Sequence, residues 1–398
     1  MSTLVLASRA PTSPTSGYDL RVRNLCAHTP GPAHLAVVRL APDDEPDRPA
    51  SGTPVAGFAS TTWVDDLLVG ATSPRRHLRR SDADWLRTSR PAALAAARRR
   101  LDALVAEHDV DLVVVFGGDL AEAAPDGARL RRVLDVCDST TLTRRRELEV
   151  SPPSGPRARL RDRLRMARTR ALEAGLPGRF DEVVTISAQD TAELESLAGP
   201  DARVATVPNG VDDRFLTGML PPGSARAVGF WGNLVFGPNQ EALRWFLEAV
   251  HAPLLRGQGV RVRIAGPNAP DWLTAAAAAD PSVELTGFVP DLAEALADVP
   301  VAINAMRTGS GLKNKVLEAF GMGLVVVTTT RGIEAVGGAR DGEHVLVADT
   351  PEGLASAVLR VLDEGSERDR LRTAAHALLQ SHYRWEAVGA RWRALVEG

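Results

Sequence analysis

Two kinds of apolar patterning alternate along the chain: short continuous apolar runs, and stretches with apolar residues three and four apart. Bounded by turn-forming residues, the runs read as strands buried on both faces, and the 3.6-residue spacing reads as helices that cover them. Runs at residues 3–7, 34–40, 112–116, 132–136 and 181–186 predict strands in the first half of the chain. Leu20, Val22 and Leu25 mark a helix that stops near Pro30. Residues 83–108 mark another, with Pro91 near its start or at a break. Residues 11–17 and the acidic, proline-rich residues 41–54 read as loops.

The pattern is interrupted by Val207-Pro-Asn-Gly-Val-Asp212 and by Pro221-Pro222-Gly223, where a domain boundary belongs. It then restarts, with strands expected at residues 227–231, 260–265, 299–304, 324–329 and 344–347, and a helix at 239–255. Strands alternating with helices imply a parallel sheet covered on both faces. The expected fold is therefore α/β, with two doubly wound, Rossmann-like domains. Ligands of such domains bind at the carboxyl ends of the strands, in a cleft between the two.

A chain of 398 residues with 44% apolar and 24% charged residues is globular in composition and long enough for two or three domains. No run of 18 apolar residues occurs, and no basic segment followed by a long apolar stretch opens the chain, so neither a membrane span nor a secretory signal is expected. Cys26 and Cys137 cannot build a disulfide framework, which fits a cytoplasmic location. The net charge is −3, and the two halves carry about +1 and −4, which argues against a nucleic-acid partner. A local exception is Arg144 to Arg170, where Leu160, Leu164, Ala167 and Ala171 recur at helical spacing among arginines. This is either a packed helix with a solvated Arg face or a dock for an anionic membrane surface at the inner membrane face. Only two of the 47 basic residues are lysine, Lys313 and Lys315. A GC-rich coding bias drives Lys to Arg wherever any cation serves, so a compact ammonium is wanted at this spot.

Three strand-to-helix junctions carry candidate chemistry. In Thr308-Gly-Ser-Gly-Leu-Lys-Asn-Lys-Val-Leu-Glu318, Gly309 and Gly311 precede a helix whose free amides form an anion site, and Lys313 and Lys315 add charge beside a diphosphate. Helical spacing puts Gly311, Lys315 and Glu318 on one face, where a carboxylate suits the vicinal hydroxyls of a ribose, and puts Val316 and Phe320 on the core face. Read plainly, the same residues are an exposed helix with an ion pair, and the lysine count weighs against that. The second junction, Gly229-Phe-Trp-Gly-Asn-Leu-Val-Phe-Gly-Pro-Asn239, brings Gly232 and Asn233 to the same end, with Asn239 as a possible helix cap. The third places Gly17 after the first strand. Asp138, after Cys137, is either an acceptor-orienting carboxylate or a turn and cap residue, and Asp119 is a weaker candidate of that kind. The eight histidines do not cluster with carboxylates at ligand spacing, so no metal and no other cofactor is expected.

Together these pieces resemble glycosyltransferase family 4, of the GT-B fold, across nearly the whole chain and most sharply over residues 207–349. The family's features look like Val207-Pro-Asn-Gly-Val-Asp212, Phe230-Trp-Gly-Asn233, Gly287-Phe-Val-Pro-Asp291, Leu317-Glu-Ala-Phe-Gly-Met-Gly323 and Gly332-Ile-Glu334. The resemblance implies a retaining, metal-independent transferase that moves a sugar from a nucleotide-diphosphate donor to a hydroxyl acceptor, either a secondary metabolite or a glycan. Residues 1–210 would take the acceptor, residues 211–382 the donor, and residues 383–398 would form a helix returning to the first domain. The implied donor-binding residues are Gly17, Gly232, Asn233, Phe288, Val289, Gly309, Ser310, Gly311, Leu312, Lys313, Lys315 and Glu318, with Lys315, Lys313 and Asp138 in catalytic roles.

The chain departs from the family's pattern in two places. Ser310 stands where a first glutamate usually touches the transferred sugar. Asn233 and Asn239 stand where Arg and Lys usually neutralise the diphosphate. The expectation is that Lys313 and Lys315 have taken over that role. A sugar-nucleotide epimerase of the same fold and a non-catalytic nucleotide-sugar-binding partner remain as alternatives.

Overall fold

The structure, a computed structural model, describes residues 1–13, 16–40, 53–67 and 90–398. The chain forms two compact units, residues 1–208 with 388–398, and residues 209–387.

The first unit is built on seven parallel strands: β1 Thr3–Ala7, β2 Ala33–Val38, β3 Ser60–Val64, β4 Leu112–Phe116, β5 Arg131–Cys137, β6 Glu182–Thr185 and β7 Val204–Thr206. Their order across the sheet is β3-β2-β1-β4-β5-β6-β7. β1 and β4 are buried along their whole length, as continuous Val/Leu runs in a covered parallel sheet must be. β3 and β7, both at sheet edges, have no counterpart among the expected strands. The helix expected over 83–108 is present as Pro91–Glu107, with proline in its first turn; residues 83–89 lie outside the described residues, as do 41–52 of the expected loop.

A buried ion pair ties helix Gly17–Ala27 to the end of β5. Arg21 Nε donates to Asp135 Oδ2 at 2.6 Å, Arg21 Nη1 donates to the Val207 carbonyl at 2.9 Å, and both charged side chains are almost fully enclosed. The free oxygen of Asp135 accepts from the Cys137 amide at 2.8 Å, where the β5–β6 register slips and Cys137 takes a left-handed φ of 64°. At the end of the chain, Trp392 is fully buried in this unit and donates to Thr29 Oγ1 at 2.9 Å.

The stretch 144–170 is not one helix. Helix Thr140–Val150 ends before Gly155, whose φ is 85°, and helix Pro156–Ala174 begins with proline. The apolar stripe of the second helix does not face the core. Leu160 is 59% exposed, Leu164 is 49% exposed, and Ala167 and Ala171 are exposed too. The inward face carries Asp162 and Glu173 instead. Glu173 accepts from Ser139 Oγ at 2.9 Å and from the Thr140 amide at 2.6 Å, so its carboxylate serves the start of helix Thr140–Val150. Asp162 accepts from Arg144 Nη2 at 2.5 Å. These polar anchors outweigh the apolar spacing in deciding which face turns inward.

The second unit holds six parallel strands: β8 Ala227–Trp231, β9 Arg261–Ala265, β10 Val283–Gly287, β11 Val301–Asn304, β12 Val325–Thr328 and β13 Val345–Val347, in the order β10-β9-β8-β11-β12-β13. The chain builds outward on one side of β8 and then crosses to β11 on the other, so the topological switch lies between β8 and β11. β10, an edge strand, has no counterpart among the expected strands. The helix expected from Asn239 starts at Gly237 and widens into π-type turns over Phe246–Leu255, where Pro253 cannot donate. Tyr383 closes the far side of this unit: its carbonyl accepts from the Val211 amide at 2.8 Å, and its hydroxyl donates to the Gly337 carbonyl at 2.9 Å.

Candidate functional site

The second unit gathers its polar side chains at the switch point, around the carboxyl ends of β8 and β11. Four glycines shape the place. Gly232, directly after β8, has φ of 133°, and its amide donates to the Ala265 carbonyl at 3.1 Å. Gly266 lies against it so closely that a Cβ there would stand 2.0 Å from the Gly232 carbonyl oxygen. Gly309 and Gly311 both have left-handed φ (84° and 70°) and hold the loop after β11 in a turn that L side chains resist.

Helix Asn314–Met322 follows that loop, with no side chain capping its first turn. Its Val316 and Phe320 are buried in the core, as the spacing predicts. Gly311 and Lys313 lie before the helix, so the expected helical face shared by Gly311, Lys315 and Glu318 is corrected to one shared by Lys315 and Glu318 alone. The two lysines therefore part. Lys313 Nζ folds back and donates to the carbonyls of Ser310 at 2.5 Å and Gly311 at 2.8 Å. Lys315 points toward β8: its Nζ lies 3.8 Å from the centre of the Phe230 ring and donates to Asn239 Oδ1 at 2.8 Å. Asn239 in turn donates to the Asn233 carbonyl at 2.8 Å. Asn239 is thus not a cap; it sits in the first turn of helix Gly237–Trp245, and its amide bridges the β8 loop and Lys315.

Electrostatics set the two ionisable groups against their surroundings. Burial pushes the Lys315 pKa down to about 7, with Lys313 adding repulsion and Glu318 opposing the shift. Burial raises the Glu318 carboxyl, against the pull of the Trp231 hydrogen bond, Arg214 and Lys315. Trp231 Nε1 donates to Glu318 Oε2 at 2.6 Å. Trp231, Phe230 and Gly266 were not singled out as site residues in the sequence. The signal available for the first two was their place at the end of a β-strand that leads into a glycine loop. Ser310 is buried within the same loop, and Leu312 is buried after it. Phe288 and Val289 follow β10; Phe288 is 63% exposed, with Val235 and Phe236 of the β8 loop also exposed.

The remaining sequence candidates lie in the first unit. Gly17 is the first residue of its helix, capped by Ser16, whose Oγ accepts from the Asp19 amide; Pro14 and Thr15 lie outside the described residues. Asp138 is exposed at the end of β5, and the helix that follows is capped by Ser139, not by Asp138. Asp119 is exposed after β4. Among the described residues, no group of three or more His, Cys, Asp or Glu is placed to hold a metal ion, and no helix is long and apolar enough to cross a membrane.

Residues 225–364, within the second unit, match the family model described as Glycosyl transferases group 1. No curated protein sequence matches the chain. Among solved structures, the chain is similar to a sucrose-phosphate synthase from Thermosynechococcus elongatus (TM-score 0.71, 15% identity, covering 100% of this chain and 98% of the other). It is also similar to HepE from Anabaena in complex with UDP and glucose (TM-score 0.65, 14% identity, 100% of both chains). A further likeness is to WaaG, a glycosyltransferase involved in lipopolysaccharide biosynthesis (TM-score 0.64, 16% identity, 100% of both chains). At such identity the likeness shows the fold, two Rossmann-like units of the GT-B glycosyltransferase kind.

Proposed function

We propose that the chain is a retaining, metal-independent glycosyltransferase of family 4 that moves a sugar from a nucleotide-diphosphate donor to a hydroxyl acceptor. The donor binds the second unit at the β8–β11 switch, and the acceptor belongs to the first unit. The observation that carries the reading is the Lys315–Asn239 contact. Lys315 brings a cation to the position that Asn239 leaves uncharged, beside a helix start whose amides favour anions.

In this reading the Lys315 ammonium meets charge that grows on the diphosphate as the glycosidic bond breaks, the role in which fixed cations contribute most. Glu318, held by Trp231, accepts hydrogen bonds from vicinal ribose hydroxyls. Lys313 leaves the Ser310 and Gly311 carbonyls for the phosphate when the donor arrives. No enzymic base is assigned, because a donor phosphate oxygen can take the acceptor's proton. The structures of HepE, a neighbour of the same fold, in complex with UDP and glucose and with UDP-glucose support a nucleotide-sugar donor.

A thermal-shift panel of UDP, GDP, dTDP and ADP sugars tests this, since a ligand that binds only the folded state raises the melting temperature by mass action. At least one donor is expected to raise it. A melting temperature unmoved by all four at millimolar concentration overturns the reading.

A further inference from the structure

Helix Pro156–Ala174 presents to solvent the face that a soluble helix normally hides. Leu160, Leu164, Ala167 and Ala171 form a stripe about 60° wide along one side. On a helical wheel, Arg157, Arg161 and Arg168 line one edge of the stripe, and Arg159, Arg163 and Arg170 line the other. The helix has seven arginines and two acids, and both acids are turned inward and hydrogen-bonded, Asp162 to Arg144 and Glu173 to the start of the preceding helix. Its outward half is therefore purely cationic and apolar. A surface groove of about 420 Å³ runs beside it, lined among others by Leu148, Met166, Arg159, Arg163 and Arg170.

Two exposed leucines between two rows of arginine are ill suited to bulk water. They are well suited to the boundary between phosphate headgroups and acyl chains, where arginine stems lie along apolar surface while the guanidinium groups stay with phosphate. A protein partner would need a narrow apolar ridge with acids on both sides. A bilayer with anionic lipid supplies that arrangement everywhere. We propose that helix Pro156–Ala174 is an interfacial helix that seats the first unit on an anionic bilayer, with Leu160 and Leu164 inserted and the flanking arginines on the lipid phosphates. This inference is independent of the donor site.

Co-sedimentation of the full chain with phosphatidylcholine vesicles containing about 30% phosphatidylglycerol tests it. The protein is expected to pellet with these vesicles and to stay in solution with pure phosphatidylcholine. Leu160→Gln with Leu164→Gln is expected to cut the partition by about tenfold or more, since both leucines lose apolar burial, with an unchanged melting temperature because neither side chain is packed. Arg157→Gln with Arg163→Gln and Arg170→Gln should remove the preference for anionic vesicles. In a Leu164→Trp variant, a fluorescence blue shift on adding vesicles should report insertion. A wild-type chain that stays in the supernatant with anionic vesicles at low salt overturns the proposal. So does a leucine double variant that pellets as well as wild type, which would mark arginine adhesion without insertion.

Discussion

Lys315 has a consequence that can be measured without knowing the acceptor. Its ammonium is half-buried over Phe230, and burial brings its pKa to about 7. With the site empty, about half of the molecules hold it neutral at pH 7. A bound diphosphate restores the charge, so binding draws a proton from solution. The two phosphates of a nucleotide sugar stay ionised across neutral pH, which leaves the protein as the source of any change. Uptake equals the fraction of Lys315 that is neutral before binding: about 0.1 proton at pH 6, about 0.5 at pH 7 and about 0.9 at pH 8. Isothermal titration with the donor, repeated at each pH in two buffers of different ionisation heat, reads this number directly. Lys315→Arg, always charged, should bind with uptake near zero at all three pH values, and so should Lys315→Gln with weaker affinity. Uptake that is flat from pH 6 to 8, or that persists in Lys315→Gln, refutes the reasoning. The sign for stability follows from the same shift. The folded pKa of about 7 lies below the ordinary 10.5, so the unfolded chain binds more protons between these values. This group's contribution to stability of the free protein therefore rises with pH across that window.

Other outcomes are equally specific. Lys315→Ala should lower kcat by a factor that corresponds to about 2–4 kcal/mol of transition-state stabilisation, measured as initial rate with saturating donor. Arg21→Met leaves Asp135 buried without its partner and should cost about 3–5 kcal/mol, whereas Arg21→Met with Asp135→Leu should recover most of that loss in thermal melts of the full chain. Gly266→Ala would put a methyl group 2.0 Å from the Gly232 carbonyl oxygen at a φ of 153°. Displacement of the β8 loop should then weaken donor binding by titration, while Gly257→Ala, whose Cβ would meet nothing within 4 Å, should bind as wild type.

Much of this fold is readable because its central strands are buried on both faces. Leu112–Phe116, Ala227–Trp231 and Val325–Thr328 are continuous apolar runs that nothing else explains. The strands absent from the sequence reading, Ser60–Val64, Val204–Thr206 and Val283–Gly287, all lie at sheet edges. Half-exposed and rich in Ser, Thr and Glu, they carry no continuous run. The period of helix Pro156–Ala174 is legible in the sequence, which leaves open whether its apolar stripe packs inward or faces outward. Hydrophobicity alone ranks Leu160 inside, whereas the carboxylates of Asp162 and Glu173 have partners that only the tertiary structure supplies. At the candidate site, spacing brings Lys315 and Glu318 to one face. It does not reveal that the helix starts after Lys313, nor that Trp231, 87 residues away in the chain, holds Glu318.

The proposed donor site is tested most directly by hydrogen–deuterium exchange of the full chain with and without saturating nucleotide sugar. Protection of residues 230–240 and 306–318 is the expected result, because the β8 and β11 loops and the start of the helix that bears Lys315 border the donor. Unchanged exchange in those segments, with protection appearing only within residues 1–208, would contradict a donor site in the second unit.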